Sequence, residues 1–311
     1  YAYRSETQET FSLSAADIGD TATQGQLINI SRNGEGLDIN LLNENAPGDI
    51  RINSSNDADT IILSGDHPEL SGVIKGNGGD DTISIDGISG TLFIDGGAGD
   101  DNLSGGQTVD KIRGGQGNDY LNGGSANDFL YGENDDDTLS GGSGQDWLDG
   151  GAGDDIVMGG EDDDKLYGRE GSDTLSGGNG NDLLYGGDGD DILYGGDNKD
   201  ILSGQGGSDV YALTSLDGQE DTFRDFVHGG PERDFINITD ILSGFDSGTD
   251  NIEDFAFLAV RSQNVSTLKI NSDGSGNDFV DAAKITGTDF TGLGVSDLLS
   301  DGTLITDQSI V

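Results

Sequence analysis

The chain has no cysteine, one tryptophan, one methionine, three prolines and two histidines among its 311 residues. Without cysteine, no disulfide can brace it, so a bound metal is one candidate for another staple. With two histidines and no thiol, zinc would find almost none of its preferred ligands. Basic residues are also scarce: 14 Lys and Arg stand against 60 Asp and Glu, for a net charge of −46. That balance offers no basic footprint for phosphates, and nucleic acid is not expected as a partner. No apolar run is long enough for a transmembrane helix. No secretory signal pattern opens the chain, which starts at Tyr1 rather than Met and is expected to be a piece of a longer protein. Hydrophobic residues make up only 32%. Such a chain buries too little apolar surface to offset its ordering entropy, and its like charges oppose compaction. Two outcomes remain: a solvated acidic tail, or a fold that includes counter-cations. Only the second requires the acids to be regularly spaced.

They are regularly spaced. Glycine supplies 55 residues, and from 96 to 212 the chain divides without a gap into thirteen nonapeptides of the pattern G-G-x-G-x-D-x-U-x, where U is a large apolar residue. Position 6 is aspartate in every block: Asp101, Asp110, Asp119, Asp128, Asp137, Asp146, Asp155, Asp164, Asp173, Asp182, Asp191, Asp200 and Asp209. Position 8 is always apolar, from Leu103 and Ile112 through Leu202 to Tyr211, and position 1 is always glycine. A detached copy at 76–84 places Asp81 and Ile83 at the same two positions.

The pattern has a direct physical reading. Glycines permit positive φ and close backbone approach, so six residues are expected to turn and the three of x-U-x to form a strand with U pointing inward. Two nonapeptides make one coil, and coils stack about 4.8 Å apart as parallel sheets. Asp137, Asp155 and Asp173 then fall on one edge, and Asp146, Asp164 and Asp182 on the other. Two carboxylates about 5 Å apart repel by about 3 kcal/mol at an effective dielectric of 20. A divalent cation between coils reverses that sign. Calcium accepts six to eight oxygens in flexible geometry, whereas magnesium demands a tighter octahedron and holds its water. All fourteen of these aspartates are therefore candidate calcium ligands.

Position 4 departs from glycine at Thr108, Ala126, Asp135, Asp162 and Asn198. Weaker calcium sites are expected near Thr108 and Ala126. Asp135 and Asp162 are expected to face water rather than to ligate. Aromatic residues at positions 7 and 9, among them Tyr120, Phe129, Tyr131, Trp147, Tyr167, Tyr185 and Tyr194, are read as cover for the sheets, with a sugar-binding platform as the alternative. His67 and His228 stand among turn residues and are read as surface side chains.

These nonapeptides resemble the calcium-binding repeat of RTX (repeats-in-toxin) proteins. The resemblance implies an all-β fold, a right-handed parallel β-roll, with irregular coils before it and a mixed, mostly β cap after it. Residues 1–34 are expected to be a cap or linker, 35–95 irregular solenoid coils, 96–212 the β-roll, and 213–311 the C-terminal cap with a secretion signal. Asp221-Thr222-Phe223-Arg224-Asp225-Phe226 and Asp234-Phe235-Ile236-Asn237-Ile238 are similar to the stretch that closes β-rolls in RTX proteases and adhesins. The order of short apolar runs from about 221 to 305 resembles the C-terminal domain of large RTX adhesins. That likeness implies type I secretion by an ABC transporter, and a secreted or cell-surface protein of a Gram-negative bacterium. It leaves any contact with glycans or with host or abiotic surfaces to upstream domains. Asp273 and Asp278 are read as a turn rather than a further calcium site. No G-x-S-x-G and no H-E-x-x-H occurs, so no enzyme is expected in this segment; the tail of an RTX protease, lipase or epimerase is the alternative to an adhesin.

Overall fold

A computed structural model describes residues 10–14, 26–27, 38–42, 48–54, 56–67, 70–88, 90–217, 219–242, 256–262, 264–271, 279–288 and 290–306. The protein is an all-β parallel solenoid. The chain divides into two compact units, residues 1–156 and 157–311.

In the first unit, successive strands alternate between two parallel sheets. The first sheet runs in the order Thr10–Ser14, Asp38–Leu42, Thr60–His67, Thr82–Ile88, Asn102–Gly106, Tyr120–Ser125, Thr138–Ser143. The second runs Gln26–Leu27, Gly48–Asn53, Leu70–Lys75, Leu92–Ala98, Lys111–Gln116, Phe129–Asn134, Trp147–Ala152. Register follows the 18-residue period: Leu121 pairs with Leu139 and Leu103, and Ile112 with Leu130 and Ile94. Position 8 points inward throughout, and Ile112, Leu121, Leu130, Leu139 and Leu148 are fully buried. The apolar interior is thus a single column of side chains per sheet.

The second unit repeats the plan and then changes it. Its second sheet runs Lys165–Glu170, Leu183–Asp188, Ile201–Gly206, Asp221–Arg224 and Val280–Thr286 in parallel, and is extended by two antiparallel strands, Val265–Ile270 and Ala256–Ser262. Its first sheet runs Thr174–Asn179, Ile192–Asp197, Val210–Ala212, Phe235–Asn237 and Leu304–Ile305. Here aromatic rings replace the aliphatic column. Tyr211 packs on Phe223 (centroids 4.9 Å apart) and Phe226 (5.5 Å), and Phe226 reaches Phe290 (6.0 Å). Tyr211 occupies an inward position where earlier blocks carry leucine. Its hydroxyl accepts the Gly204 amide proton (2.8 Å) and donates to the Arg224 carbonyl (2.9 Å), so the buried phenol is satisfied. The helix Val295–Asp301 follows, ended by Gly302 at φ 83°.

Two details differ from the sequence reading. The strands are six residues long, not three: Thr138–Ser143 carries positions 7 to 9 of one block and 1 to 3 of the next. The leading glycines belong to the sheet, and only positions 4 to 6 turn. Second, positive φ occurs at position 2 as well as position 4, so Glu133 (84°), Arg169 (95°) and Gln205 (74°) adopt it alongside Ala126 (78°), Asp135 (70°), Asp162 (77°) and Asn198 (81°). Thr108 is not among the positive-φ residues. A β-branched side chain is costly in that region, and its hydroxyl instead bonds the Gly90 carbonyl (3.1 Å).

His228, read as a surface side chain, is part-buried. Its ring packs on Phe290 (5.5 Å), and its Nε2 lies 2.9 Å from Asp301 Oδ2. The side chain of His67, and both Asp273 and Asp278, lie outside the described residues.

Candidate calcium-binding turns

All fourteen position-6 aspartates are buried, none more than 3% exposed. Each sits one residue before a strand, and the inward position 8 carries the preceding turn residue in with it. The carboxylates then climb the two edges. In the first unit the Asp81 amide donates to Asp101 Oδ1 (2.7 Å), Asp101 to Asp119 (2.8 Å), Asp119 to Asp137 (2.8 Å) and Asp137 to Asp155 (2.7 Å). On the other edge the Leu92 amide donates to Asp110 (2.9 Å), Asp110 to Asp128 (2.7 Å) and Asp128 to Asp146 (2.7 Å). In the second unit the Asp164 amide donates to Asp182 (2.8 Å) and Asp182 to Asp200 (2.8 Å), while Asp173 donates to Asp191 (2.9 Å) and Asp191 to Asp209 (3.0 Å). One oxygen of each carboxylate is thereby engaged by the coil before it.

The other oxygen is the chemically informative one. Oδ2 of Asp81, Asp101, Asp110, Asp119, Asp128, Asp137, Asp182, Asp191, Asp200 and Asp209 is buried with no hydrogen-bond partner. A buried, unpaired carboxylate oxygen is costly unless a cation meets it. The surroundings supply further oxygens. A Cβ built on Gly123 would lie 2.5 Å from Asp128 Oδ2 and 2.8 Å from the Gly141 carbonyl oxygen; on Gly105 it would lie 2.8 Å from Asp110 Oδ2 and 2.7 Å from the Gly123 carbonyl. Position 1 is therefore glycine because a side chain would enter the space where a carboxylate and the next coil's carbonyl converge. Among the described residues no three His, Cys, Asp or Glu side chains cluster as a metal site. The donor set is one carboxylate per turn with main-chain carbonyls, all hard oxygens of the kind calcium takes. The residues present fit calcium, and the position-6 aspartates and turn carbonyls would hold it.

Burial also displaces the acidities. Desolvation, the largest cause, pushes Asp128, Asp137, Asp191 and Asp200 up to about 8, Asp81, Asp119 and Asp209 to about 7, and Asp101, Asp110 and Asp182 to about 6. Without a cation, the folded turns hold their protons to higher pH than a free carboxylate does.

The sequence reading missed three ladder members and a second ladder. Asp59 donates its amide to Asp81 Oδ1 (2.7 Å), Asp221 Oδ1 accepts from Asp200 (2.9 Å), and Asp234 Oδ1 accepts from Asp209 (3.1 Å). Their signal was present as D-x-U without the glycines: Asp59-Thr60-Ile61, Asp221-Thr222-Phe223, Asp234-Phe235-Ile236. Asp234 differs from the others in that its Oδ2 accepts the Val227 amide (2.7 Å), so a main-chain N–H stands where the roll leaves an oxygen open. The second ladder is at position 5 and runs the other way on the exposed rim. Asn118 donates its amide to Asp100 Oδ1 (2.9 Å), Asp154 to Asp136 (2.9 Å), Asn181 to Asp163 (2.8 Å) and Ser208 to Asp190 (2.8 Å). Asp135 faces water as expected, accepting the Gly117 amide at Oδ2 (3.0 Å).

Gly123→Ala tests this geometry. The methyl group would collide with Asp128 Oδ2 and the Gly141 carbonyl, so the variant should lose about 1–3 kcal/mol in calcium and require more calcium to fold, measured by urea titration at fixed free calcium. An unchanged midpoint would contradict the assignment of position 1 to the site.

The sequence profile of the RTX calcium-binding nonapeptide repeat (four copies) matches in overlapping windows that span residues 95–211. No curated protein matches the chain. With the orphaned carboxylates, the converging carbonyls and the 18-residue register, this match shows that residues 95–211 are RTX calcium-binding nonapeptide repeats wound into a parallel β-roll.

Proposed function

We propose that this chain is the calcium-dependent folding and type I secretion module of a large exported protein, and that this protein is a Gram-negative cell-surface adhesin. RTX calcium-binding repeats imply a calcium-binding module of a type I secreted protein. One observation carries the reading: buried carboxylates stacked coil upon coil, with an oxygen unclaimed on Asp81, Asp101, Asp110, Asp119, Asp128, Asp137, Asp182, Asp191, Asp200 and Asp209. Such turns stay open where free calcium is scarce, as in the cytosol, and close where it is millimolar, the range that extracellular sites bind. Binding energy then becomes folding energy on the outside. The composition change after residue 212 and the antiparallel strands that close the second unit suit a cap carrying the signal for an ABC transporter. No catalytic role is assigned to the chain itself.

The test is export of residues 1–311 by a type I system. Chelating external calcium should slow release and leave the released chain protease-sensitive, and removing residues 213–311 should abolish export. An unchanged rate in both arms would reject the module. Loss of surface attachment on deleting the whole protein supports the adhesin; a hydrolytic or epimerising activity in the segment upstream would replace it with the exoenzyme.

A further inference from the structure

Four Asn-Gly pairs occur, at 33–34, 77–78, 122–123 and 179–180, the first of them outside the described residues. In such a pair the backbone nitrogen of glycine can attack the side-chain amide of asparagine with little hindrance, because no Cβ stands beside it. Ring closure needs the asparagine ψ to swing away from the strand value of about +115°. It also needs the glycine N–H to leave any hydrogen bond it makes. The fold therefore decides which pair reacts, and when.

Asn179 is the last residue of strand Thr174–Asn179 and is exposed to water. Both reacting groups are held by neighbouring coils of the second unit. The Asn179 Nδ2 donates to Glu161 Oε2 (3.0 Å) one coil before, and the Gly180 amide donates to the Asp197 carbonyl (3.3 Å) one coil after. Gly180 stands at φ 144°, and a Cβ built there would lie 2.1 Å from the Asp162 carbonyl oxygen, so the glycine is pressed against the coil before. The other two described pairs are held as well. Asn77 donates its Nδ2 to the Ser54 carbonyl (3.0 Å), and Gly123 is buried within strand Tyr120–Ser125. What sets Asn179 apart is its company. Register pairs it with Asp197, and Glu161 lies on its other side, so a neutral amide separates two acids of successive coils.

We propose that Asn179–Gly180 is a deamidation site gated by coil stacking, and so by calcium. Where the coils part, the Gly180 nitrogen attacks Asn179 Cγ and gives up its proton, ammonia leaves, and a succinimide ring remains. Water then opens the ring to aspartate or isoaspartate, and nothing but water is consumed. Either product removes the donor to Glu161 and sets a carboxylate between those of Glu161 and Asp197. Isoaspartate also adds a backbone atom where the 18-residue register admits none. A chain held too long without calcium is thus marked irreversibly and needs more calcium to stack again. This gate goes beyond the module reading and takes from it only that calcium stacks the coils.

The test is to age residues 1–311 in millimolar calcium, in chelator, and in chelator with urea, recording the strand signal and mapping aspartate and isoaspartate by peptide mass spectrometry. Asn179 should deamidate about tenfold or more slowly in calcium than in chelator, where its rate should approach that in urea. Glu161→Ala, a change at an exposed side chain, should speed Asn179 severalfold in calcium and leave Asn122 as it was. Asn179→Asp supplies the charge without the extra backbone atom, and should raise the calcium needed for half of the strand signal. Asn179→Ser, the residue that the same position carries at Ser125 and Ser143, should raise it less. Equal rates at Asn179 in calcium and chelator while the strand signal differs, an Asn179 that survives in urea, a Glu161→Ala chain that ages as wild type, or an Asn179→Asp chain that folds at the wild-type calcium level would each overturn the proposal and leave calcium-dependent folding standing. A strand signal indifferent to chelator would reject that folding, and the gate with it.

Discussion

Removing calcium at about pH 7.5 should abolish most of the strand signal of this chain and shift the fluorescence of its single tryptophan, and millimolar calcium should restore both. Trp147 lies within the roll, on strand Trp147–Ala152, so it reports the repeats rather than the cap. The expected size of the effect follows from what the fold lacks. Each nonapeptide buries one large apolar side chain, worth about 1.5–3 kcal/mol, while asking a carboxylate to enter the interior, as at Asp128 and Asp137 with one oxygen unclaimed. Neighbouring carboxylates along each edge add about 3 kcal/mol of repulsion per pair at about 5 Å and an effective dielectric of 20. A narrow column of leucines does not offset that in every coil. The closing coils of the second unit share the problem less, although burial raises Asp221 to about 7 and Asp234 to about 6. Their core is aromatic, and both oxygens of Asp234 are met by amides, Asp209 and Val227. A residual signal from residues beyond about 211 is therefore expected in chelator, while Trp147 reaches the unfolded value. A tryptophan spectrum indifferent to chelator, or strand content that persists in full, would show that the open oxygens are not cation sites.

The parts of this fold that could be read from sequence are those that repeat at nine residues. The inward column from Leu103 to Tyr211 and the buried aspartates from Asp101 to Asp209 come from identical residues at identical offsets, and a six-to-three division of turn and strand was enough to place them. What was missed lies at other periods or in altered residues. Which sheet a side chain belongs to is an 18-residue property, so the placement of every described strand Lys and Arg on one sheet is not visible until coils are counted. Asp221 and Asp234 continue the ladder without the glycines that mark it, because the chain there is no longer bound to the same tight turn. Position 2 looks like a place where any residue serves, since Glu133, Arg169 and Gln205 occur there, yet all three stand at positive φ. Such residues cost of order 1–3 kcal/mol each, a strain visible only in the backbone.

Acid should partly replace calcium. In the metal-free folded turns, burial raises Asp128, Asp137, Asp191 and Asp200 to about 8 and Asp101, Asp110 and Asp182 to about 6, whereas an unfolded aspartate titrates near 3.9. The folded form therefore binds more protons than the unfolded one across that interval, and its stability falls with rising pH. The stabilisation from protonation is complete only below the unfolded value and is lost as pH climbs through 6 to 8. In chelator, strand content should thus grow as pH is lowered from about 8 to about 5, ending above the isoelectric point of 4.1 to keep the chain soluble. Relief of general self-repulsion would act in the same direction, and salt separates the two. Sodium chloride at about 1 M shortens the screening length to about 3 Å but cannot supply a proton to a buried oxygen, so it should leave the chelated chain open at pH 7.5. A strand signal that is flat or falls on acidification, or that salt restores as well as acid does, would mean that the buried carboxylates do not hold the roll apart.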